Sequence, residues 1–222
     1  MKVFMKTTPA RFITLEGIEG VGKSTQLKFV AGYLQQAHIP LTITREPGGT
    51  PIAEAIRSLL LQSDFSPEML VPETELLLFF AARAQHIHYV IKPALQRGDW
   101  VLCDRFTETS YAYQGGGRGI DVAFIRSLHL WVQQDLNVNV VLLLDAPVDI
   151  ALRRMRHRKT ADRIEAEKHD FFTRARASYL ERAQQRPDVY QVIDASRSLK
   201  DVQKQIKNVL DRLLHLWVKS DE

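Results

Sequence analysis

The sequence predicts an α/β fold in which a five-stranded parallel sheet is flanked by helices on both faces. Five short apolar runs, Phe12 to Leu15, Leu41 to Thr44, Trp100 to Cys103, Val138 to Leu144 and Val189 to Ile193, are each too short for a buried helix. Longer stretches of helical period separate them, as a parallel sheet requires of its crossovers. The first run also leads directly into a glycine-spaced loop, a sequel expected where a strand hands over to a helix in such a sheet.

Taken in order, the first strand and its loop are followed by an apolar stripe at Leu27, Val30, Ala31 and Leu34, which predicts a helix packed on the sheet. After the second strand, Ile52, Ala55, Ile56, Leu59 and Leu60 predict another helix with a core-facing side. A longer helix is expected from about Glu73 to Ala94. The third strand ends at Asp104, and the stretch beyond it is helical, with Ser110 and Tyr113 on one face. The fourth ends near Asp145, ahead of the basic run from Ala151 to Lys159. Val202, Ile206, Val209, Leu210, Leu213 and Trp217 predict a packed closing helix. With no internal repeat and no low-complexity linker, residues 1–222 are expected to form one domain.

Composition narrows the class of function. Hydrophobic residues at 45% and charged residues at 25% exclude a disordered or collagenous chain. The formal charge of +4 suits polyanionic ligands, nucleotides or nucleic acid alike. One cysteine, Cys103, rules out an intramolecular disulfide framework, and its place in an apolar run fits a small buried side chain. No stretch has the roughly 20 apolar residues of a membrane span, and Met1 to Ala10 lack a secretion signal, so the expected address is the cytoplasm.

The loop reads Gly17-Ile18-Glu19-Gly20-Val21-Gly22-Lys23-Ser24, followed by Thr25. Glycines at this spacing let successive backbone N–H groups turn inward, and a helix starting near Lys23 adds the positive end of its dipole to the same hollow. Nucleotide phosphates are the natural occupants. Lys23 is expected on the β- and γ-phosphates of ATP, and the Ser24 hydroxyl on Mg²⁺.

Four further segments carry chemistry. Asp104 and Arg105 end the third strand, where ligands bind in open α/β sheets. A carboxylate there can share Mg²⁺ with Ser24, and a guanidinium suits a second phosphate. Arg45 likewise follows a strand, and the Pro47-Gly48-Gly49 turn allows close backbone approach. Phe79 and Arg83, four apart on one helix, pair an aromatic with a cation, although Phe79 among Leu76, Phe80 and Ile87 also reads as core.

Thr44 to Thr50, Asp104-Arg105, Tyr113 to Arg118 and Asp162 to Glu165 together resemble the thymidylate kinases, P-loop nucleoside-monophosphate kinases, in order and spacing from about Phe12 to Ser196. The resemblance implies transfer from ATP to dTMP with Mg²⁺, and a homodimer. It implies a phosphate contact for Arg45 beside Pro47, Phe79 stacked on thymine, and Arg83 on its O4. It further implies Ser110 near the base, the ring of Tyr113 against the sugar edge, and Gln114 among the substrate-binding residues. The basic run then resembles a helical lid, about 151–165. Because the loop interior has the acidic Glu19 and no basic residue, the chain resembles the subtype whose catalytic arginine lies in the lid. Arg158 is the first choice for the γ-phosphate, and Glu19 would meet the acceptor sugar or magnesium-bound water. Helical spacing puts Arg154 and Arg158 on one face, Arg153 and Arg156 on another.

Two rivals remain. Another P-loop kinase would lack Phe79, Arg83, Ser110 and Tyr113 in register. A nucleic-acid-binding protein would need a continuous basic groove, which Asp162 and Glu165 interrupt.

Overall fold

The structure is a computed structural model that describes residues 9–62, 68–155 and 163–219. Five strands, β1 (Phe12–Glu16), β2 (Leu41–Arg45), β3 (Trp100–Asp104), β4 (Val140–Asp145) and β5 (Tyr190–Asp194), form one all-parallel sheet in the order β2-β3-β1-β4-β5. The strands begin or end one or two residues away from the apolar runs, because polar residues such as Glu16, Arg45 and Asp104 continue the ladder beyond the last apolar side chain.

The helices are α1 (Lys23–Gln36), α2 (Pro51–Leu61), α3 (Pro72–His86), α4 (Lys92–Gln96), α5 (Thr107–Ser110), α6 (Val122–Gln133), α7 (Val148–Met155), α8 (His169–Gln185) and α9 (Leu199–Lys219). In β1 and β3, alternation along the strand sends neighbouring residues to two different core clusters. Ile13, Leu15 and Leu102 join Val30 and Leu34 of α1 and Ile206 and Leu210 of α9 in one cluster. Phe12, Val101 and Cys103 join Ile87, Ile91 and Ala94 in another. The sheet is therefore covered on both faces.

Two local findings depart from simple periodicity. The long helix expected from about Glu73 to Ala94 runs as α3, a π turn over Ile87–Ile91, and α4. The wider turn falls just ahead of Pro93, which has no N–H to donate and whose ring crowds the carbonyl four residues back. A second π turn, Tyr111–Gly117, follows α5.

In α2 the expected core stripe is split. Ala53 and Leu60 are fully buried, with Ile56 packed at the core's edge, whereas Ile52 is 55% and Leu59 40% exposed. Ala55 is exposed too. The spacing 53, 56, 60 makes one seam and 52, 55, 59 a parallel one, and only the first is turned inward. The correction is one of face: apolar residues at helical spacing on two neighbouring seams cannot all turn inward.

Candidate active site

The site lies at the carboxyl ends of β1 and β3, where the strand order changes direction around β1. From β1 the chain enters the loop through Gly17 (φ +137°), Gly20 (φ +79°) and Gly22 (φ +97°). Two of these are forced by proximity as well as by φ. A Cβ on Gly17 would stand 2.4 Å from the Leu144 carbonyl oxygen, and one on Gly20 only 2.1 Å from that of Ala151 in α7. The loop is thus seated between β4 and the root of α7.

Helix α1 starts at Lys23 with no side-chain cap, so its first N–H groups face the loop's hollow with the positive end of the helix dipole. Lys23 is buried, and its Nζ donates to the carbonyls of Gly17 at 3.1 Å and Ile18 at 2.9 Å. Burial, then the charge of Arg105, lowers its pKa to about 8. Ile18 and Val21 are buried under the loop, while Ser24 and Thr25 are exposed at its mouth. Ser24 lines the cleft; Thr25 instead donates its backbone N–H to Gly22.

Across the cleft stand Asp104 and Arg105. Asp104 Oδ1 is buried without a hydrogen-bond partner, an acceptor left open beside the loop. Arg105 has a left-handed backbone, φ +67°, and a guanidinium held from several sides. Its Nη2 pairs with Glu19 and donates to the Tyr113 hydroxyl at 3.2 Å, while Nη1 donates to Gly17 O at 3.1 Å and Thr109 Oγ1 at 3.2 Å. Glu19 also lies 3.8 Å from Lys23 Nζ. In this state Glu19 bridges the two cations by ion pairing.

Behind Arg105, Glu16 is wholly buried and accepts from Phe106 N at 2.7 Å, Thr109 Oγ1 at 2.7 Å and the Tyr179 hydroxyl at 3.0 Å. Burial drives its carboxyl up to about 7, against the pull of the Thr109 hydrogen bond and the Arg105 charge. Nothing in the sequence singled this residue out.

The other half of the cleft is lined by Phe79, Tyr113, Arg45 and Pro47. Arg45 is half exposed and forms a two-pronged pair with Glu54, at 3.0 and 2.9 Å. Arg83, Ser110 and Gln114 do not line it; they are buried beside its wall. Arg83 donates Nε to Glu46 Oε2 at 2.7 Å, Nη1 to Ser110 Oγ at 3.0 Å and Nη2 to Phe106 O at 3.2 Å. His86 Nδ1 meets the other oxygen of Glu46 at 2.9 Å.

Glu46, Arg57, Thr109, Ile164 and Glu165 also line the cleft. Glu46 and Glu165 fall inside segments that the sequence marks out; Arg57, on a half-buried face of α2, has no local signal. In the basic run, Arg153 is exposed and Arg154 donates Nη1 to Ala195 O at 2.9 Å, while Arg156, Arg158 and Asp162 lie outside the described residues. Arg163 is turned from the cleft toward Glu75 at 2.7 Å and Leu60 O at 2.9 Å.

A family model described as thymidylate kinase matches residues 15–206. The thymidylate kinase of Chromohalobacter salexigens is 55% identical over 212 residues, covering 95% of this chain and 99% of that protein. That of Vesicomyosocius okutanii is 52% identical over 203 residues, covering 91% and 98%. A crystal structure of thymidylate kinase from Ehrlichia chaffeensis matches with a TM-score of 0.72 at 32% identity, over 90% of this chain and 98% of the other.

Proposed function

The chain belongs to the thymidylate kinase family, and from that premise we propose how its side chains carry the phosphorylation of dTMP to dTDP by ATP, a step of dTTP synthesis. The observation that carries the reading is a single cleft. It joins the Gly20, Gly22, Lys23 and Ser24 end of the loop to Phe79 and Tyr113, with Asp104 and Arg105 between the two halves.

The triphosphate occupies the loop and the uncapped start of α1. Lys23 exchanges the Gly17 and Ile18 carbonyls for β- and γ-phosphate oxygens, whose negative charge favours its buried ammonium. The acceptor monophosphate lies against Arg105, which Glu19, Tyr113 and Thr109 hold ready, and against Arg45, where it competes with Glu54. Phe79, which lines the cleft, stacks on thymine, and the base reaches past the cleft wall to the buried Arg83 and Ser110, which read its O4 edge. Gln114 contributes a buried acceptor, because its Oε1 has no partner. Tyr113 packs against the sugar.

The unpartnered Asp104 Oδ1 and the exposed Ser24 are the groups that would hold Mg²⁺, which would supply charge neutralisation between the phosphates. The protein's own task is to hold donor and acceptor in line and to present cations to the moving phosphoryl group. Arg158 belongs to that set in this reading, brought in by a lid over about 151–165.

The chain is further read as one domain over 1–222, acting in the cytoplasm, where the free, buried Cys103 is at home. Among the described residues no helix is long and apolar enough to cross a membrane. A homodimer is supported by α6, where Phe124 and Trp131, seven residues apart on one face, are 49% and 75% exposed. A coupled assay of ADP formation with dTMP, dUMP, dCMP and dAMP offered in turn tests the substrate. dTMP is expected to be strongly preferred to dCMP, and turnover of dAMP or dCMP at comparable kcat/KM would reject the reading.

A further inference from the structure

Three side chains on one face of α3, Glu75, Phe79 and Arg83, are spaced four residues apart. Ser110 and Gln114, also four apart, stand opposite on the turn from α5 into the π stretch. The two sets join as rungs. Arg83 Nη1 donates to Ser110 Oγ at 3.0 Å, and Gln114 Nε2 donates to Glu75 Oε1 at 2.8 Å. All five are buried, none more than 4% exposed, and Phe79 between the rungs lines the cleft.

An ionised carboxylate only accepts, so Gln114 must turn its NH₂ toward Glu75. The reversed amide would set two acceptors face to face. The orientation is thus dictated by chemistry, and it leaves Oε1 of Gln114 as a buried acceptor with no partner. Glu75 is itself fixed, by Arg118 Nη2 at 3.0 Å and Arg163 Nη2 at 2.7 Å. Burial pushes its carboxyl up, but the hydrogen bonds and charges of Arg118, Gln114 and Arg163 outweigh that and hold it below the ordinary value. It stays an anion.

We propose that Glu75 is a specificity-determining positioning residue: by locking the Gln114 amide it aims a bare acceptor at the base and selects a pyrimidine whose N3 carries hydrogen. The proposal rests on Gln114 meeting the base, as read above. Thymine and uracil donate N3–H to Oε1, whereas the unprotonated N3 of cytosine would oppose acceptor to acceptor. With Arg83 donating at the 4-position, cytosine is mismatched at two adjacent atoms, and dUMP is discriminated only by its missing methyl.

The test is a double-mutant cycle on purified Glu75→Gln, Gln114→Ala and the double variant, each assayed for kcat and KM with dTMP and dCMP. A neutral amide at position 75 both donates and accepts, so Gln114 is free to turn. Each single change should lower the ratio of kcat/KM for dTMP to that for dCMP by on the order of 10-fold to 100-fold, the range for one unsatisfied buried polar group. The loss should fall on KM for dTMP more than on kcat, and the double variant should lose no more than Gln114→Ala alone. Glu75→Asp, which keeps the carboxylate, should retain most of the ratio. An unchanged ratio in Glu75→Gln beside a lowered one in Gln114→Ala overturns the role of Glu75 and leaves Gln114 as a reader. An unchanged ratio in Gln114→Ala removes the base contact itself, and the proposal with it. Should Glu75→Gln fail to fold, the side-chain ¹H–¹⁵N signals of Gln114 in the unaltered protein decide. They should hold their position when dTMP is added, and a large shift of the amide protons would show them turned to the base and refute the proposal.

Discussion

Lys23 and Glu16 are both buried ionisable groups of the same loop and strand, and each has its proton affinity moved by its surroundings. Removing Lys23 deletes a preorganised charge, so Lys23→Ala should reduce kcat by ~10²-fold or more with the fold intact; a well-folded variant turning over normally would exclude the loop as the donor site. Glu16 bears on stability. Its carboxyl titrates at about 7 in the folded chain against 4.5 ordinarily, so between those values the folded state binds more protons than the unfolded one. That contribution is fully present below pH 4.5 and is lost as pH rises through 7, amounting to about 3 kcal/mol for a shift of this size. Urea unfolding at pH 5 and pH 8 should show the wild type losing stability relative to Glu16→Gln, and parallel pH slopes would contradict the account. The two residues also differ in legibility. Lys23 is readable because the glycine spacing around it is itself the chemistry, whereas Glu16 owes its character to Thr109 and Tyr179, 93 and 163 residues away in the chain. Glu75, tied to Arg118 and Arg163, was hidden for the same reason.

Among the elements, the strands were readable to within two residues because five apolar runs of that length have no other use in a doubly covered sheet. The helices were readable as helices, but not always by face. In α2 two apolar seams lie side by side, and only the packing of the folded chain decides that Ala53 and Leu60 go in while Ile52 and Leu59 stay out. The root of the proposed lid is similar: periodicity grouped Arg154 with Arg158, and the Ala195 carbonyl claims the Arg154 guanidinium. Helix α7 meets the loop at Gly20, and in the proposed reading the arginine offered to the γ-phosphate is Arg158. Arg158→Ala should therefore slow kcat by ~10²-fold or more with little change in KM for dTMP, the mark of a cation that acts in the transition state. Arg153→Ala, on an exposed position, should do much less. Steady-state kinetics of the two variants checks this, and equal small effects would reduce the basic run to a solvated helix.

At the scale of the whole molecule, the sheet order and the central place of β1 gather loop, acids and cations at one edge, and α9 closes the opposite side of the core over α1 and β5. There Trp217 meets Trp100 edge-on at 5.1 Å between ring centres, under the guanidinium of Arg11. Trp100 is 1% exposed, while Trp131 on α6 is 75% exposed. The chain's three tryptophans thus occupy three unlike settings, and this amounts to a built-in optical gauge. At 75% exposure Trp131 should emit as an indole in water in the lone chain, and pairing through α6 would move it to shorter wavelength and shield it from acrylamide. If the proposed homodimer forms, a dilution series should show that shift reverse, and Trp131→Phe should abolish it while the buried signal of Trp100 persists. A spectrum independent of concentration, beside light scattering that reports a dimer, would place the pairing surface elsewhere. No dye need be attached to watch two chains meet.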